Sequence, residues 1–223
     1  MKSVQKIAQS LPLLFALATA GLWLVPPSLA AEPQRTILVL GDSLSAGYGI
    51  RLEDGWVARL ERRLDAEHPG WTVYNASISG ETTAGGLRRL PALLDAHKPA
   101  VVVIELGGND GLRGQSPAVM ADNLKSMAAM SEAAGARVVL VRVALPVNYG
   151  PRYANAFQQA YLDAAAEQVE LAEFLPLDER VDTAMLQDDG IHPNASAQAL
   201  MERNVWPAIQ QAMRAVPAPA YAN

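Results

Sequence analysis

From about residue 35 onward, short apolar runs rich in β-branched residues alternate with segments whose apolar positions recur at helical spacing. The runs Thr36–Leu40, Thr72–Ser77, Ala100–Leu106, Arg137–Ala144 and a weaker Val169–Leu175 predict five strands. Between them, Gly55–Glu67 places Trp56, Leu60 and Leu64 on one helical face. Thr82–His97 predicts a helix broken at Pro91, and Ser116 with Pro117 offers an N-cap and a first-turn proline for a helix ending near Gly135. Arg152–Glu167 and Ala195–Val216 complete the set. Strands that are apolar with little alternation, each followed by a helix, predict a parallel sheet covered on both faces. The expected fold is α/β, a three-layer α/β/α sandwich, with one domain over residues 31–223 and a Pro/Ala-rich tail at Val216–Asn223 expected to fray. No internal repeat or linker suggests a second domain.

The first 30 residues follow a different pattern. Lys2 and Lys6 precede an acid-free apolar run from Leu11 to Leu24, which Pro26 and Pro27 interrupt. Ser28 and Ala30 stand at the −3 and −1 places of a small-residue cleavage site, so residues 1–30 are expected to be a signal peptide removed after Ala30. The run falls short of the ~20 residues a spanning helix needs, and no later stretch reaches it. The expected product is a soluble protein of the bacterial periplasm or the medium, without stable membrane insertion. The chain has no cysteine, which removes disulfides, thiol nucleophiles, cysteine–zinc sites and lipid attachment through a thiol. Its formal net charge is −5, and loss of the leader lysines makes it more acidic. With no basic run longer than Arg62–Arg63 or Arg88–Arg89, nucleic acid is not an expected partner. Nothing in the pattern demands more than a monomer.

Parallel doubly wound sheets bind ligands beyond the carboxyl ends of their strands, so the strand exits carry the candidate chemistry. The first exit reads Gly41-Asp42-Ser43-Leu44-Ser45, the second Ser79-Gly80-Glu81 and the third Gly107-Gly108-Asn109-Asp110. A serine becomes a nucleophile when a base takes its proton, and histidine is the usual base. The chain holds three histidines. His68 lies in a turn and His97 at a helix end, both with ordinary structural uses. His192 stands in Asp189-Gly190-Ile191-His192, a spacing that lets Asp189 accept from Nδ1 and leaves Nε2 free to take a proton. A developing oxyanion needs positioned donors, which the backbone of Gly80 and the amide of Asn109 can supply.

Gly41-Asp42-Ser43-Leu44, Gly80, Gly107-x-Asn109-Asp110 and Asp189-x-x-His192 resemble, in order and across residues 31–223, the four sequence blocks of the SGNH or GDSL hydrolase family. Asn75–Gly80, Glu105–Gly114 and Asn148–Tyr153 are similar to its bacterial periplasmic acyl-CoA thioesterase I, lysophospholipase and arylesterase subfamily. The resemblance implies a flavodoxin-like doubly wound five-stranded sheet and a serine hydrolase of acyl esters and thioesters. Ser43 would be the nucleophile, Asp189 and His192 the base pair, and the Ser43 N–H, Gly80 N–H and Asn109 amide the oxyanion hole. It further implies that Asp110–Pro117 is a mobile loop over the acyl chain, walled by Pro146–Tyr153, so that Asp110, Leu112, Pro146 and Tyr149 contact substrate. No cofactor or metal is implied.

A carbohydrate O-acetyl esterase of the same family is the alternative. A metal-dependent phosphoesterase using Asp42, Asp110, Asp188 and Asp189 would lack a phosphate-binding glycine loop and a second histidine in a plausible site. A two-lobed binding module would lack its second lobe. Acyl-chain length and leaving group depend on loop shape, which spacing does not determine.

Overall fold

The computed structural model describes residues 35–165, 169–175 and 182–217. All of them fall within one compact unit, Glu32–Asn223. The expected leader with its cleavage point, the last two residues of the expected Arg152–Glu167 helix, and the tail beyond residue 217 lie outside the described residues.

Five strands form one sheet: β1 (Arg35–Gly41), β2 (Trp71–Asn75), β3 (Val101–Glu105), β4 (Arg137–Arg142) and β5 (Val169–Glu173). All neighbours pair in parallel, in the order β2-β1-β3-β4-β5. Every residue of β3 is buried, as a central strand covered on both faces requires. The helices are α1 (Ser43–Ala46), α2 (Trp56–Glu67), α3 (Thr83–His97), α4 (Gly108–Leu112), α5 (Pro117–Ala133), α6 (Pro151–Ala164) and α7 (Gln198–Arg214). α2 packs on α7, while α3, α5 and α6 pack in series, which gives the three layers. Arg63 of α2 reaches Glu202 of α7 at 2.7 Å, with the Arg63 guanidinium also over the Trp206 ring. Trp56, Trp71 and Trp206 are all core residues.

Two helix expectations need correction. α3 is not broken at Pro91 but runs unbroken through it, and α7 likewise contains Pro207. Both prolines are exposed, so the ring displaces no packed neighbour and tertiary packing carries the helix past the missing hydrogen bond. Ser116 occupies the N-cap of α5, with Pro117 at the first position, but its side chain makes no capping bond. The cap that does form at α3 is Thr82, whose Oγ1 accepts from the Gly85 N–H at 3.2 Å.

This strand order reverses direction between β1 and β3, so a crevice opens where their exits diverge. Gly41 and Glu105 face each other at the ends of these two strands. A Cβ on Gly41 would lie 2.7 Å from the Ser45 side chain and 2.8 Å from Glu105 Oε2. The glycine therefore lets the β1 exit lie directly on the β3 exit.

Candidate active site

Ser43 is the first residue of α1, the four-residue helix that follows β1. Asp42 caps that helix: its Oδ1 accepts from the Leu44 N–H at 3.0 Å and its carbonyl accepts from the Ala46 N–H at 2.9 Å. The cap pins Ser43 at the crevice. Beneath it, Glu105 Oε2 accepts from Ser45 Oγ at 2.7 Å and from the Asp42 N–H at 3.3 Å, and Ser45 Oγ accepts from Trp56 Nε1 at 3.2 Å. Glu105 is wholly buried, and desolvation together with the Asp42 charge lifts its pKa well above the carboxylate range. Burial thus favours its protonated form over the carboxylate.

His192 arrives on a separate loop. Asp189 Oδ1 accepts from the N–H groups of Ile191 and His192, each at 2.9 Å, and Gly190 takes a left-handed φ of 66° to make the bend. Asp189 Oδ2 lies 2.6 Å from His192 Nδ1, and His192 Nε2 lies 2.8 Å from Ser43 Oγ. A carboxylate acceptor assigns the proton to Nδ1, which leaves Nε2 to accept from the serine hydroxyl. The hydrogen bonds from His192 and Ile191 lower the Asp189 pKa to about 2. Asp189 thus stays charged wherever an imidazole base is usable. The loop is closed by the Gln187 N–H donating to the His192 carbonyl at 2.7 Å, and Gln187 Nε2 donates to the Tyr48 carbonyl at 2.8 Å.

Asn109 sits in α4, where its Nδ2 donates one hydrogen to Asp42 Oδ2 at 3.0 Å. The second amide hydrogen stays available. Burial lifts the Asp42 pKa to about 6, opposed by the Leu44 N–H and the Asn109 amide. Above that pH the charged carboxylate holds both Asn109 and the α1 cap. Gly80, at φ 79°, is exposed on the β2 exit, and its carbonyl accepts from Arg113 Nη2 at 3.0 Å. Among the described residues, neither the Ser43 N–H nor the Gly80 N–H donates to another group. Serine, glycine and asparagine thus come from the exits of β1, β2 and β3.

The four expected substrate contacts are placed differently from one another. Asp110 is buried, its Oδ2 accepting from the Thr83 N–H at 2.9 Å and its Oδ1 from Thr83 Oγ1 at 2.5 Å. It braces α4 against the start of α3, so its carboxylate is engaged rather than open to the crevice. Leu112 and Tyr149 are brought together, since Tyr149 Oη donates to the Leu112 carbonyl at 2.7 Å. Pro146 begins the turn that carries Tyr149, and Tyr153 Oη donates to the Gln115 carbonyl at 2.7 Å. Two phenols therefore tie the β3 exit to the β4 exit.

Several residues of the site carried no assignment on sequence grounds: Glu105, Thr83, Tyr48 and Gln187. Glu105 had a readable signal, a lone acid ending the apolar run Val101–Ile104. Of the other histidines, His68 lies against Trp206 and His97 stacks on Tyr74. No group of three or more His, Cys, Asp or Glu among the described residues is placed to hold a metal ion.

A serine at the β1 exit, answered by a histidine and a carboxylate from one distant loop, defines a class of α/β hydrolytic enzyme that has no nucleophile-elbow motif. The chain belongs to the GDSL-like lipase/acylhydrolase family, whose model matches residues 39–200, and it is a serine hydrolase. Within that family it is 52% identical over 177 residues to the esterase TesA of Pseudomonas aeruginosa, covering 79% of this chain and 88% of that one. It is 44% identical over 178 residues to thioesterase 1/protease 1/lysophospholipase L1 of Escherichia coli K12, covering 79% of this chain and 84% of the other. The crystal structure of the psychrotrophic esterase EstA from Pseudoalteromonas sp., inhibited by monoethylphosphonate, superposes with a TM-score of 0.75 at 42% identity, covering 81% of this chain and all of that one.

The backbone that presents Asn109 depends on Gly107. Its φ is 119°, and a Cβ there would lie 2.5 Å from the hydroxyl of fully buried Tyr161 and 3.0 Å from Met120 Sδ. Overpacking costs roughly 1–3 kcal/mol, and an unfavourable backbone region about as much again. Gly107→Ala is expected to lower the urea midpoint of unfolding with an unchanged m-value; an unaltered midpoint would contradict this.

Proposed function

We propose that this enzyme hydrolyses small-molecule carboxylic esters and thioesters through an acyl-enzyme on Ser43. The observation that carries the reading is the continuous chain Asp189 to His192 to Ser43, at 2.6 and 2.8 Å. As Ser43 Oγ attacks the acyl carbon, its proton passes to His192 Nε2, and the Asp189 carboxylate stabilises the imidazolium. Negative charge gathers on the carbonyl oxygen, where the Ser43 N–H, the Gly80 N–H and the free hydrogen of the Asn109 amide receive it. The leaving group takes the proton from Nε2 and departs. Water then gives a proton to Nε2 as its oxygen bonds the acyl carbon, and when the Ser43 Oγ–C bond breaks Oγ takes that proton back, releasing the carboxylic acid.

Asp110, Leu112, Pro146 and Tyr149 are the proposed substrate-binding residues, at the exits of β3 and β4. Esterase and thioesterase relatives at 44–52% identity favour this chemistry over carbohydrate O-deacetylation. Residues 1–30 act as a signal peptide and residues 31–223 as a single hydrolase domain, a periplasmic monomer. A purified mature chain is expected to cleave medium-chain aryl esters and acyl-CoA thioesters with kcat/KM well above that for an acetylated polysaccharide. A preference for the acetylated polysaccharide would overturn the substrate assignment. Sequencing the exported protein tests the leader, with Ala31 as the expected first residue.

A further inference from the structure

Ser43 and His192 come from segments 149 residues apart in the chain, yet Oγ and Nε2 must keep one separation through both half-reactions. Asp189 cannot set that separation, because it sits on the His192 loop and moves with it. The gap has to be fixed by bonds that run from the loop to the nucleophile segment.

Gln198, the first residue of α7, is only 2% exposed. An amide so deeply buried is costly unless both its ends are hydrogen-bonded. Its Oε1 accepts from the Trp56 N–H at 3.0 Å, and a backbone N–H can only donate, so Nε2 faces the other way. There it donates to the Asn194 carbonyl at 3.3 Å and lies 3.5 Å from the Pro193 carbonyl, on the two residues that follow His192. Trp56 in turn donates from Nε1 to Ser45 Oγ at 3.2 Å, and Ser45 belongs to α1, the helix that begins with Ser43. A continuous polar path therefore runs from the end of the His192 loop, through Gln198 and Trp56, to the nucleophile helix.

A second tie crosses nearer the surface. Gln187 Nε2 donates one hydrogen to the Tyr48 carbonyl at 2.8 Å and the other to the Pro193 carbonyl at 3.1 Å. Tyr48 is itself bound to the nucleophile, its N–H donating to the Ser43 carbonyl at 3.1 Å. Gly49, at φ 73°, makes room for this amide: a Cβ there would lie 2.0 Å from Gln187 Oε1. The peptide units just after His192 are thus held by two glutamine amides, each linked to the nucleophile segment. An amide suits the task, because one uncharged group both donates and accepts and adds no charge to perturb the imidazole.

Resting on the Ser43 acyl-enzyme proposed above, we infer that Gln198 and Gln187 are positioning residues that set the gap between His192 Nε2 and Ser43 Oγ. They act through the loop and not on the substrate. Asp189 orients the imidazole within its loop, and the two glutamines orient the loop against the serine.

The test uses Gln198→Met, which keeps the volume and removes both bonds, Gln187→Ala, and the double variant. In Gln187→Ala the backbone N–H keeps its bond to the His192 carbonyl, so the loop stays closed. Steady-state kcat and KM for p-nitrophenyl butyrate are measured per active site titrated with a fluorophosphonate. Each single variant is expected to lose about tenfold in kcat, since a misplacement of about 1 Å can cost up to ~10²-fold, with KM within about twofold of the wild type. The double variant is expected to lose more than either. The downfield proton resonance of His192 Nδ1 is expected to persist in all of them, because its bond to Asp189 lies within the loop. A lowered melting temperature with wild-type kcat per titrated site would make the glutamines packing residues and overturn the inference. So would a raised KM at unchanged kcat, which would make them substrate contacts, or loss of the Nδ1 resonance, which would mean that they shape the loop itself. If Gln198→Met does not fold, Gln187→Ala, outside the core, decides on the same readings. A single adduct on Ser43 of the wild type separates failure of this positioning role from failure of the mechanism.

Discussion

His192→Ala should lower kcat for an ester substrate by on the order of 10⁴–10⁶ while the protein stays folded, because the base and acid of both half-reactions are one imidazole. Nothing else in the site can replace it. Among the described residues, the other two histidines lie against Trp206 and Tyr74, and the nearby acids are engaged: Asp42 with Asn109 and Leu44, Glu105 with Ser45 and Asp42, and Asp189 with the Ile191 and His192 N–H groups. The fold survives because the His192 loop is held by its backbone, through the Gln187 N–H on the His192 carbonyl and the Asn194 N–H on the Met185 carbonyl. Activity that remains should reflect the oxyanion donors and binding alone. Stopped-flow kinetics with thermal unfolding checks both halves. A loss below tenfold in a folded variant would remove His192 from the mechanism.

Asn109→Ala should cost about 10²–10³ in kcat with a much smaller change in KM, since the amide hydrogen meets charge that exists only in the transition state. The substitution also frees Asp42 Oδ2 from its 3.0 Å partner, but the same carboxylate keeps its bond to the Leu44 N–H, so α1 stays capped. Asn109→Asp should be at least as damaging, because it places a carboxylate against Asp42 and beside the developing oxyanion. Equal losses in kcat and rises in KM would instead point to a ground-state binding role.

Much of this site was legible because its residues announce their chemistry. Ser43, Gly80, Asn109 and the Asp189–His192 pair each sit at a strand exit or in a turn whose spacing already restricts geometry. The strands were legible to within about two residues, since β1, β3 and β4 are buried on both faces and show unbroken apolar runs. The two shortest helices were not. α1 and α4 have four and five residues, too few for an apolar period to emerge, and both are formed by their caps and contacts rather than by propensity. The bond of the Asp110 carboxylate to Thr83 was not legible, because Thr83 lies 27 residues away in the chain and spacing does not show which strand exits meet. Pro91 was misread because a helix breaker in isolation is tolerated on an exposed face of a packed helix. Tyr48 was invisible in sequence because its partner, His192, lies on a loop 144 residues away in the chain.

The identity of the nucleophile is tested most directly by labelling with a fluorophosphonate. Wild-type enzyme treated with one equivalent should gain a single adduct by mass spectrometry, mapped by peptide analysis to Ser43, with activity lost in proportion. Ser43→Ala, folded to the same melting temperature, should gain none. Labelling of Ser43→Ala at the wild-type rate, or inactivation of the wild type by an adduct on a different residue, would contradict the account.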